Sequence, residues 1–152
     1  MSSPAHLRPA EVNDLPFIFS KEREYMETIE PEALQGWMAA LELNLADWID
    51  CLPRTVFSVD DSGKPLGYAM WTLKDDCATL ASIHVLGGRR RQGIGRLLLE
   101  AFEQEAAARG VRVLKLGVHR NNPARLLYEA AGYQPAGRDG GYLLFSRVPA
   151  ES

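Results

Sequence analysis

Four arginines surround a Gly-x-Gly at residues 88–96, written GRRRQGIGR. Glycine lets the backbone approach an anion closely, and a helix that begins there directs unpaired N–H groups and a partial positive charge toward it. Arginines at the rim add charge-assisted hydrogen bonds. The segment therefore predicts a polyanion site, with nucleic acid, a nucleoside triphosphate, a dinucleotide and coenzyme A as candidates. A solvated turn whose arginines bind nothing specific is the alternative.

Charge and motif chemistry narrow these candidates. A formal net charge of -3 argues against a surface for the phosphates of a long duplex, which needs a broad basic stripe. A P-loop requires Lys and then Ser or Thr after Gly93, where this chain has Ile94 and Gly95. A dinucleotide fingerprint requires a third glycine where this chain has Leu98. The surviving prediction is a local pyrophosphate site that uses no metal.

The elements that must position this loop begin with helices and then change to strands. The 152 residues, 46% hydrophobic and 24% charged, predict a single folded domain over 1–152. A first strand is predicted at Ala5–Arg8, a helix start at Asn13-Asp14, and one amphipathic helix from Pro31 to Leu52 that Pro53 ends. Segments rich in β-branched and aromatic residues, separated by short turns, predict antiparallel strands at Thr55–Val59, Leu66–Leu73 and Ala78–Val85.

The second half of the chain alternates between helices and strands. A helix follows Gly95 and ends at Arg109-Gly110. After it come a strand at Val111–Val118, a helix at Pro123–Ala131, and a hairpin of Tyr133–Ala136 with Tyr142–Arg147. The predicted order is β-α-α-β-β-β-α-β-α-β-β. This is an α+β, three-layer fold with a mixed, mostly antiparallel central sheet flanked by helices.

Two motifs carry a resemblance to a known family. Arg90-x-x-Gly93-x-Gly95 begins five residues after Val85 and resembles the acetyl-coenzyme A signature of the GCN5-related N-acetyltransferase (GNAT) family, Arg/Gln-x-x-Gly-x-Gly/Ala. The segment NNPARLLYEAAGY at 121–133 is similar to the family's Asn-x-x-Ala-x-x-Leu-Tyr-x-x-x-Gly-Phe/Tyr. With the strand order, the resemblance covers Leu66 to Arg147 and implies a GNAT-like acyl-CoA acyltransferase fold.

The resemblance implies that the cofactor is acetyl-CoA (coenzyme A). The strand that ends at Val85 would separate from the next strand, and main-chain groups near Ile83 and Val85 would hold the thioester end in the resulting slot. Asn121 fits the family asparagine by spacing and Asn122 fits by its neighbour Pro123, so either could contact the ligand or only cap a helix. The implied phosphate-binding residues are Arg90, Arg91, Gln92, Gly93, Ile94, Gly95 and Arg96.

Tyr128 matches the general acid of the family. A phenol has a pKa near ~10 and a thiol near ~8.5, so a neutral tyrosine beside the sulfur stays protonated and can pass a proton to the departing thiolate. Packing of the Tyr128 ring is the structural alternative.

The sequence does not identify the general base, and it indicates the acceptor site only by composition. Imidazole changes its charge closest to neutral pH, but alternation places His84 on the strand face opposite Ile83 and Val85, which favours a packed or surface histidine. His119 is equally ambiguous, and a water chain could replace a side-chain base. The acceptor should enter over the segment between the first two helices, where five glutamates beside Tyr25 could hold a cationic amine: Glu22, Glu24, Glu27, Glu30 and Glu32. Glu22, Glu24 and Tyr25 are the candidates. A solvated helix face is the alternative.

These observations predict an N-acetyltransferase that moves an acetyl group from acetyl-CoA to a primary amine by direct transfer in a ternary complex, without a metal. The acceptor is a small-molecule or protein amine, with no nucleic acid or membrane partner; a homodimer is possible. With no secretory signal or membrane span in the sequence, we expect a cytoplasmic protein. A non-catalytic acyl-CoA-binding sensor or interaction domain is the alternative, and nucleic-acid binding through the arginines is a third hypothesis. The acceptor's identity stays open.

Overall fold

The computed structural model describes residues 6–89 and 93–149. Within them, one seven-stranded sheet has the spatial order β1-β2-β3-β4-β5-β7-β6. Its strands are β1 His6–Pro9, β2 Thr55–Val59, β3 Pro65–Lys74, β4 Cys77–Val85, β5 Val113–His119, β6 Gln134–Asp139 and β7 Tyr142–Arg147. The helices are α1 Leu15–Thr28, α2 Leu34–Ala39, α3 Leu41–Cys51, α4 Ile94–Ala108 and α5 Arg125–Ala130.

The sheet is mixed and mostly antiparallel, as the sequence predicts. The pair β4–β5 is parallel, and the chain connects these two strands through α4. The pairs β1–β2, β2–β3, β3–β4, β5–β7 and β6–β7 are antiparallel. The fold class is therefore confirmed, and the element order matches the prediction except that three helices rather than two lie between β1 and β2. None of the helices in the described part of the chain is long and apolar enough to cross a membrane.

The prediction of one continuous helix from Pro31 to Leu52 is wrong, because the helix breaks at Ala40. The Ala40 N–H donates to the carbonyls of Gly36 and Trp37 at 3.1 and 3.2 Å, a tightened last turn. The Asn44 side chain also donates to the Trp37 carbonyl, at 3.1 Å. Trp37 of α2 and Trp48 of α3 still pack on the same core, but Leu45 and Ile49 of the predicted stripe are 40% and 50% exposed.

Side chains alternate between two cores, one on each face of the sheet. Along β3, Ala69 and Trp71 face α4, whereas Tyr68 and Met70 face α1 and α3. The core on the α4 face includes Leu80, Leu98, Phe102, Leu116, Tyr128 and Phe145. The core on the α1 face includes Ile18, Trp48, Phe57, Tyr68 and Met70. A residue's place in a strand therefore decides which of two separate environments its side chain enters.

A β-bulge at Ala81 opens the sheet between β4 and β5. Ser82 lies opposite Met70 and Leu80 lies opposite Trp71, so Ala81 is an extra residue in β4. A bulge bends its strand and increases the local twist. The parallel pairing of β4 with β5 accordingly ends at Leu80 with Leu116, although both strands continue. Residues 81–85 and 117–119 are therefore not paired with each other, and this opening between the strands is called the gap. It lies where the resemblance implies a slot, whose use by a ligand stays a prediction.

The backbones of β3 and β4 approach each other closely at Gly67, beside this gap. A Cβ atom at Gly67 would lie 2.3 Å from the carbonyl oxygen of His84. We expect Gly67→Ala to lower the free energy of unfolding by about 2–3 kcal/mol, because the backbone of β4 must move to accommodate the methyl group. Urea denaturation followed by tryptophan fluorescence measures this change.

Gly36→Ala is the matched control. Nothing lies within 4 Å of a Cβ atom at Gly36 in α2. Its free energy of unfolding should stay unchanged or rise by up to about 1 kcal/mol, since alanine favours helix. An unfolding midpoint for Gly67→Ala equal to that of the wild type would contradict the close approach of β3 and β4.

Candidate active site

The main chain of β4 presents free hydrogen-bonding groups to the gap. The Leu86 N–H donates to the Leu66 carbonyl at 2.8 Å, which continues the β3–β4 ladder past Val85. Because alternate residues of an antiparallel ladder bond to the same neighbouring strand, the main-chain groups of Ile83 and Val85 point the other way, into the gap. Their side chains pack against the core on the α4 face. These groups could bind an extended amide-containing ligand, as a further strand would.

The first turn of α4 supplies unpaired N–H groups near this edge. Gly93 precedes the helix in the left-handed conformation, with φ 77°, and no side chain caps the helix. The first intrahelical bond runs from the Leu97 N–H to the Gly93 carbonyl at 3.0 Å, so the N–H groups of residues 94–96 precede it. Three such groups with the helix dipole favour an anion.

The predicted phosphate-binding residues are only partly described. Arg90, Arg91 and Gln92 lie outside the described residues. The Arg96 side chain is exposed and forms an ion pair with Glu100 at 3.3 Å. Arg96 could therefore reach an anion only by leaving a weak surface contact.

Gly95 marks where β4, α4 and α5 meet. A Cβ atom there would lie 3.5 Å from the Leu127 side chain and 3.8 Å from that of Val85, which are ordinary contact distances. Leu127 directly precedes Tyr128 on α5. The start of α4, the end of β4 and the predicted acid are thus brought together on one face of the sheet.

Tyr128 is buried in the core on the α4 face, with 5% of its surface exposed. Its ring packs edge-on against Tyr133 at 6.2 Å. Burial raises the pKa of the Tyr128 phenol well above its ordinary value, and its hydroxyl has no hydrogen-bond partner among residues 6–89 and 93–149. The phenol is therefore protonated at neutral pH. A thiolate formed in the same dry surroundings would also be more basic than in water.

The two asparagines have different contacts. The Asn122 side-chain oxygen accepts from the Ala124 N–H at 2.9 Å, which caps the turn into α5. Asn121 donates from its side chain to the Ile29 carbonyl at 3.3 Å and from its N–H to His119 Nδ1 at 3.1 Å. Asn121 thus joins the end of β5 to the end of α1. Ligand contact by either asparagine stays a prediction.

Glu22 lies at the centre of a buried network on the α1 face. It accepts hydrogen bonds from the Tyr68 hydroxyl at 2.9 Å and from the Ser82 hydroxyl at 2.5 Å, and its Oε2 lies 3.5 Å from His84 Nε2. Burial by itself raises the pKa of Glu22, but the contacts with His84, Ser82 and Tyr68 outweigh it, so the pKa lies below its usual value. Glu22 is therefore a carboxylate.

Tyr25 connects this network to a second buried carboxylate. Its ring stands edge-on to His84 at 5.9 Å, and its hydroxyl donates to Glu30 at 2.6 Å. Glu30 also accepts from the Tyr142 hydroxyl, and His119 packs edge-on against Tyr142 at 5.4 Å. Burial, and then the contact with Glu30, raises the pKa of Tyr25 well above its ordinary value. The connected side chains are called the polar cluster: Glu22, Tyr25, Glu30, Tyr68, Ser82, His84, His119 and Tyr142.

The predicted acceptor residues do not all meet. Glu22 and Tyr25 lie in the polar cluster, whereas Glu24 is exposed and pairs with Lys21 at 3.0 Å. Sequence reasoning missed Ser82, although its spacing of two from His84 in a strand indicates a shared face. It also missed Tyr142, because nothing in the sequence indicates that this residue contacts Glu30 of the acidic segment.

Metal and thiol chemistry find little support in the described ranges. Among residues 6–89 and 93–149, no group of three or more His, Cys, Asp or Glu side chains could hold a metal ion. Cys51 is buried, Cys77 is half-buried, and both are free.

The chain matches a known protein family and several curated proteins. The sequence model of the Acetyltransferase (GNAT) family matches residues 18–133. The chain is 40% identical over 81 residues to the [Ribosomal protein bS18]-alanine N-acetyltransferase of Escherichia coli strain K12, an alignment that covers 53% of this chain and 55% of that protein. The chain thus spans about half the length of the curated relatives it matches.

Solved structures share the fold over almost the whole chain. The PaiA N-acetyltransferase of Thermoplasma acidophilum, solved in complex with coenzyme A, has a TM-score of 0.81 at 18% identity, covering 95% of this chain and 99% of that one. The ribosomal-protein-alanine N-acetyltransferase of Brucella melitensis has a TM-score of 0.68 at 25% identity, covering 94% and 99%. These likenesses confirm the predicted fold.

The charge of Glu22 can be tested through the pH dependence of stability. A carboxyl whose folded pKa is depressed binds fewer protons when folded, so its stabilisation is present above the ordinary glutamate pKa of ~4.3 and is lost as pH falls below it. At about pH 6, Glu22→Gln should lower the free energy of unfolding by about 1.5–3 kcal/mol, because it loses charge-assisted hydrogen bonds. Urea denaturation between about pH 6 and about pH 3 should show this difference shrinking.

Glu24→Gln, on the same helix but exposed, is the control and should differ little from the wild type at any pH. A difference between wild type and Glu22→Gln that stays constant down to about pH 3 would contradict a depressed Glu22 pKa.

Proposed function

Because the chain belongs to the acetyltransferase (GNAT) family, we propose that it is an N-acetyltransferase that moves an acetyl group from acetyl-coenzyme A to a primary amine. The observation that carries this proposal is the juxtaposition at the β4–β5 gap. Free main-chain groups of Ile83 and Val85, the unpaired first turn of α4, and Tyr128 all meet on one side of the sheet.

Each part of acetyl-coenzyme A has a matching group in this arrangement. The pyrophosphate is held at the first turn of α4, where N–H groups and the helix dipole offset its charge. The pantetheine arm carries two amides and lies along the gap. The main-chain groups of Ile83 and Val85 bond to these amides, in the same way that β5 bonds to the first half of β4. The thioester then lies within the sheet, between its two faces.

Acetyl transfer needs an uncharged amine, a donor to the developing oxyanion, and a proton for the departing thiolate. Main-chain N–H groups at the gap are available for the oxyanion. Tyr128 supplies the proton to the sulfur, since its phenol is protonated and its hydroxyl is not committed to another group in the described ranges. The reaction proceeds by direct transfer within a ternary complex, because neither Cys51 nor Cys77 lies among the residues at the gap.

The acceptor amine approaches from the α1 face. There the carboxylates of Glu22 and Glu30 lie in the polar cluster, and the negative charge of such buried groups attracts an ammonium group. Curated relatives are named for acetylating the alanine of ribosomal protein bS18, so the first acceptor class to test is the N-terminal α-amine of a peptide. A cytoplasmic location, a homodimer and the absence of nucleic-acid partners stay predictions.

The test is release of free thiol from acetyl-coenzyme A in the presence of acceptors. Peptides that begin with alanine, peptides with only a lysine ε-amine, and small amines form the acceptor set, and an N-terminally blocked peptide without lysine is the control. Thiol release with an amine, and acetylation of that amine by mass spectrometry, is the expected result. Coenzyme binding without turnover on any amine would instead support the non-catalytic sensor.

Tyr128→Phe tests the acid. We expect kcat to fall by about 10²–10⁴-fold, because the thiolate must then leave without a proton donor. The affinity for coenzyme A, measured by calorimetry, should change less than about twofold, because the ring that packs in the core is kept.

Tyr133→Phe is the matched control for Tyr128→Phe. Tyr133 is also buried, but its hydroxyl donates to Glu103 at 2.9 Å. This variant should lose stability by about 1 kcal/mol and keep its kcat. Equal losses of kcat and coenzyme affinity in Tyr128→Phe would count against the acid role.

The two loop glycines provide a test of the coenzyme site. Gly93 has φ 77°, a conformation that costs other residues about 1–2 kcal/mol. Gly93→Ala should weaken coenzyme A binding about tenfold, which corresponds to about 1.4 kcal/mol. Gly95→Ala should change the affinity less than about threefold, since its methyl group makes only ordinary contacts with Leu127 and Val85. Calorimetry that finds the opposite order would place the phosphates elsewhere.

A further inference from the structure

We propose that His84, positioned by Glu22, is the general base that takes the proton of the acceptor amine. This inference rests on the proposed acetyl transfer and assigns a residue to a step that the sequence leaves open. It is carried by the position of His84 at the gap and by the contacts of every other candidate base in the polar cluster.

His84 lies in β4 between the two residues whose main-chain groups face the gap. Its side chain points to the α1 face, whereas Ile83 and Val85 contact the core on the α4 face, where Tyr128 lies. A thioester in the gap would therefore have the phenol on one side and the imidazole on the other. An acid and a base on opposite sides of the reacting carbon suit a reaction in which the amine attacks from one side and the thiolate departs on the other.

The groups that face His84 come from three elements. α1 contributes Glu22 and Tyr25, β3 contributes Tyr68, and β4 itself contributes Ser82. His84 Nε2 lies 3.5 Å from Glu22 Oε2, and the histidine side chain is 15% exposed. We assign the imidazole proton to Nε2, because this nitrogen faces the Glu22 carboxylate. Nδ1 then keeps its lone pair, and no hydrogen bond to it occurs within the described ranges.

The two carboxylates of the polar cluster are already engaged by hydrogen-bond donors. Glu22 already accepts from Tyr68 and Ser82 and contacts His84, and these contacts hold its pKa below the usual value. Glu30 accepts one tyrosine hydroxyl on each of its oxygens. Both carboxylates therefore already serve as acceptors within the polar cluster.

His119 is also committed to other groups. Its Nδ1 accepts the Asn121 N–H at 3.1 Å, so the ring proton lies on Nε2, which is 3.6 Å from Glu32. Both nitrogens of His119 are therefore engaged, and its side chain is 5% exposed. Within the polar cluster, His84 Nδ1 is the basic nitrogen that is left with a free lone pair.

The acceptor ammonium gives one proton to His84 Nδ1, and the imidazolium that forms is stabilised by the Glu22 carboxylate. The neutral nitrogen forms a bond to the thioester carbonyl carbon, the C–S bond breaks, and the sulfur takes the Tyr128 proton. The second nitrogen proton, shed as the amide forms, restores the Tyr128 phenol through water, and His84 releases its proton to solvent. Ammonium and thioester thus give amide, thiol and one proton.

The test is His84→Ala assayed with and without added imidazole. With the acceptor that the wild type acetylates, kcat should fall by about 10²–10⁴-fold while the affinity for coenzyme A changes less than about twofold. Millimolar imidazole should raise kcat of His84→Ala at least about tenfold, because imidazole can occupy the space left by the missing side chain. His6→Ala, which removes an exposed histidine of β1, is the control and should keep the wild-type rate without responding to imidazole.

The pH profile of kcat/KM is a second test of His84. It uses the variant His84→Gln, so that a result is obtained even if His84→Ala does not fold. The same acceptor is used for every variant, so that its own ionisation contributes equally to each profile. The fall of kcat/KM toward low pH that comes from the enzyme, its acid limb, should be present in the wild type and absent in His84→Gln. In Glu22→Gln it should move to lower pH, since the imidazolium loses its counter-charge. A merely structural role of His84 would leave the acid limb in place.

The outcomes separate this inference from the proposed function. A wild-type protein that releases no thiol with any amine overturns the acetyltransferase proposal. A wild-type protein that turns over, together with His84 variants that keep their rate within about threefold or keep the acid limb, overturns the role of His84 alone. Loss of rate with loss of the acid limb supports it.

Discussion

One extra residue in β4 is the constraint on which both halves of the candidate site depend. The bulge at Ala81 bends the strand away from β5, so the pairing that ends at Leu80 leaves main-chain groups free along the gap. It also shifts the side-chain alternation by one. Without it, Ser82 and His84 would point into the apolar core on the α4 face, and Ile83 would point toward Glu22. The gap between β4 and β5 and the network around Glu22 therefore arise from the same irregularity.

The sheet separates two electrostatic environments that acetyl transfer needs at the same time. On the α4 face, apolar packing around Tyr128 keeps its phenol protonated, which suits a donor. On the α1 face, Glu22 is held as a carboxylate by hydroxyl and imidazole contacts, which suits the stabilisation of a cation. An open, water-filled site would level these differences, because water screens charges and solvates both forms of each group. The gap brings the two environments together at one point.

The parts of the site that the sequence predicts are those whose geometry is local. The glycine loop implies a helix start from its composition, and the structure places φ 77° at Gly93. Alternation correctly placed His84 opposite Ile83, but it could not show Glu22 beside it, because helix α1 contacts β4 only through the tertiary fold. The sequence does not predict the bulge, because alanine occurs at ordinary strand positions as well as at bulges. The break at Ala40 was missed because the apolar spacing continues through it.

The acceptor side depends on contacts that neither motif contains. Glu30 binds hydroxyls from α1 and from β7, and Asn121 bonds to the Ile29 carbonyl, so the junction after α1 is fixed to the ends of β5 and β7. These contacts hold the acceptor wall in place before a ligand arrives, which reduces the ordering cost of binding. Glu30 and Tyr142 lie outside both motif segments. The proposed acceptor side is therefore determined by residues that lie apart from the glycine loop and from the Tyr128 segment.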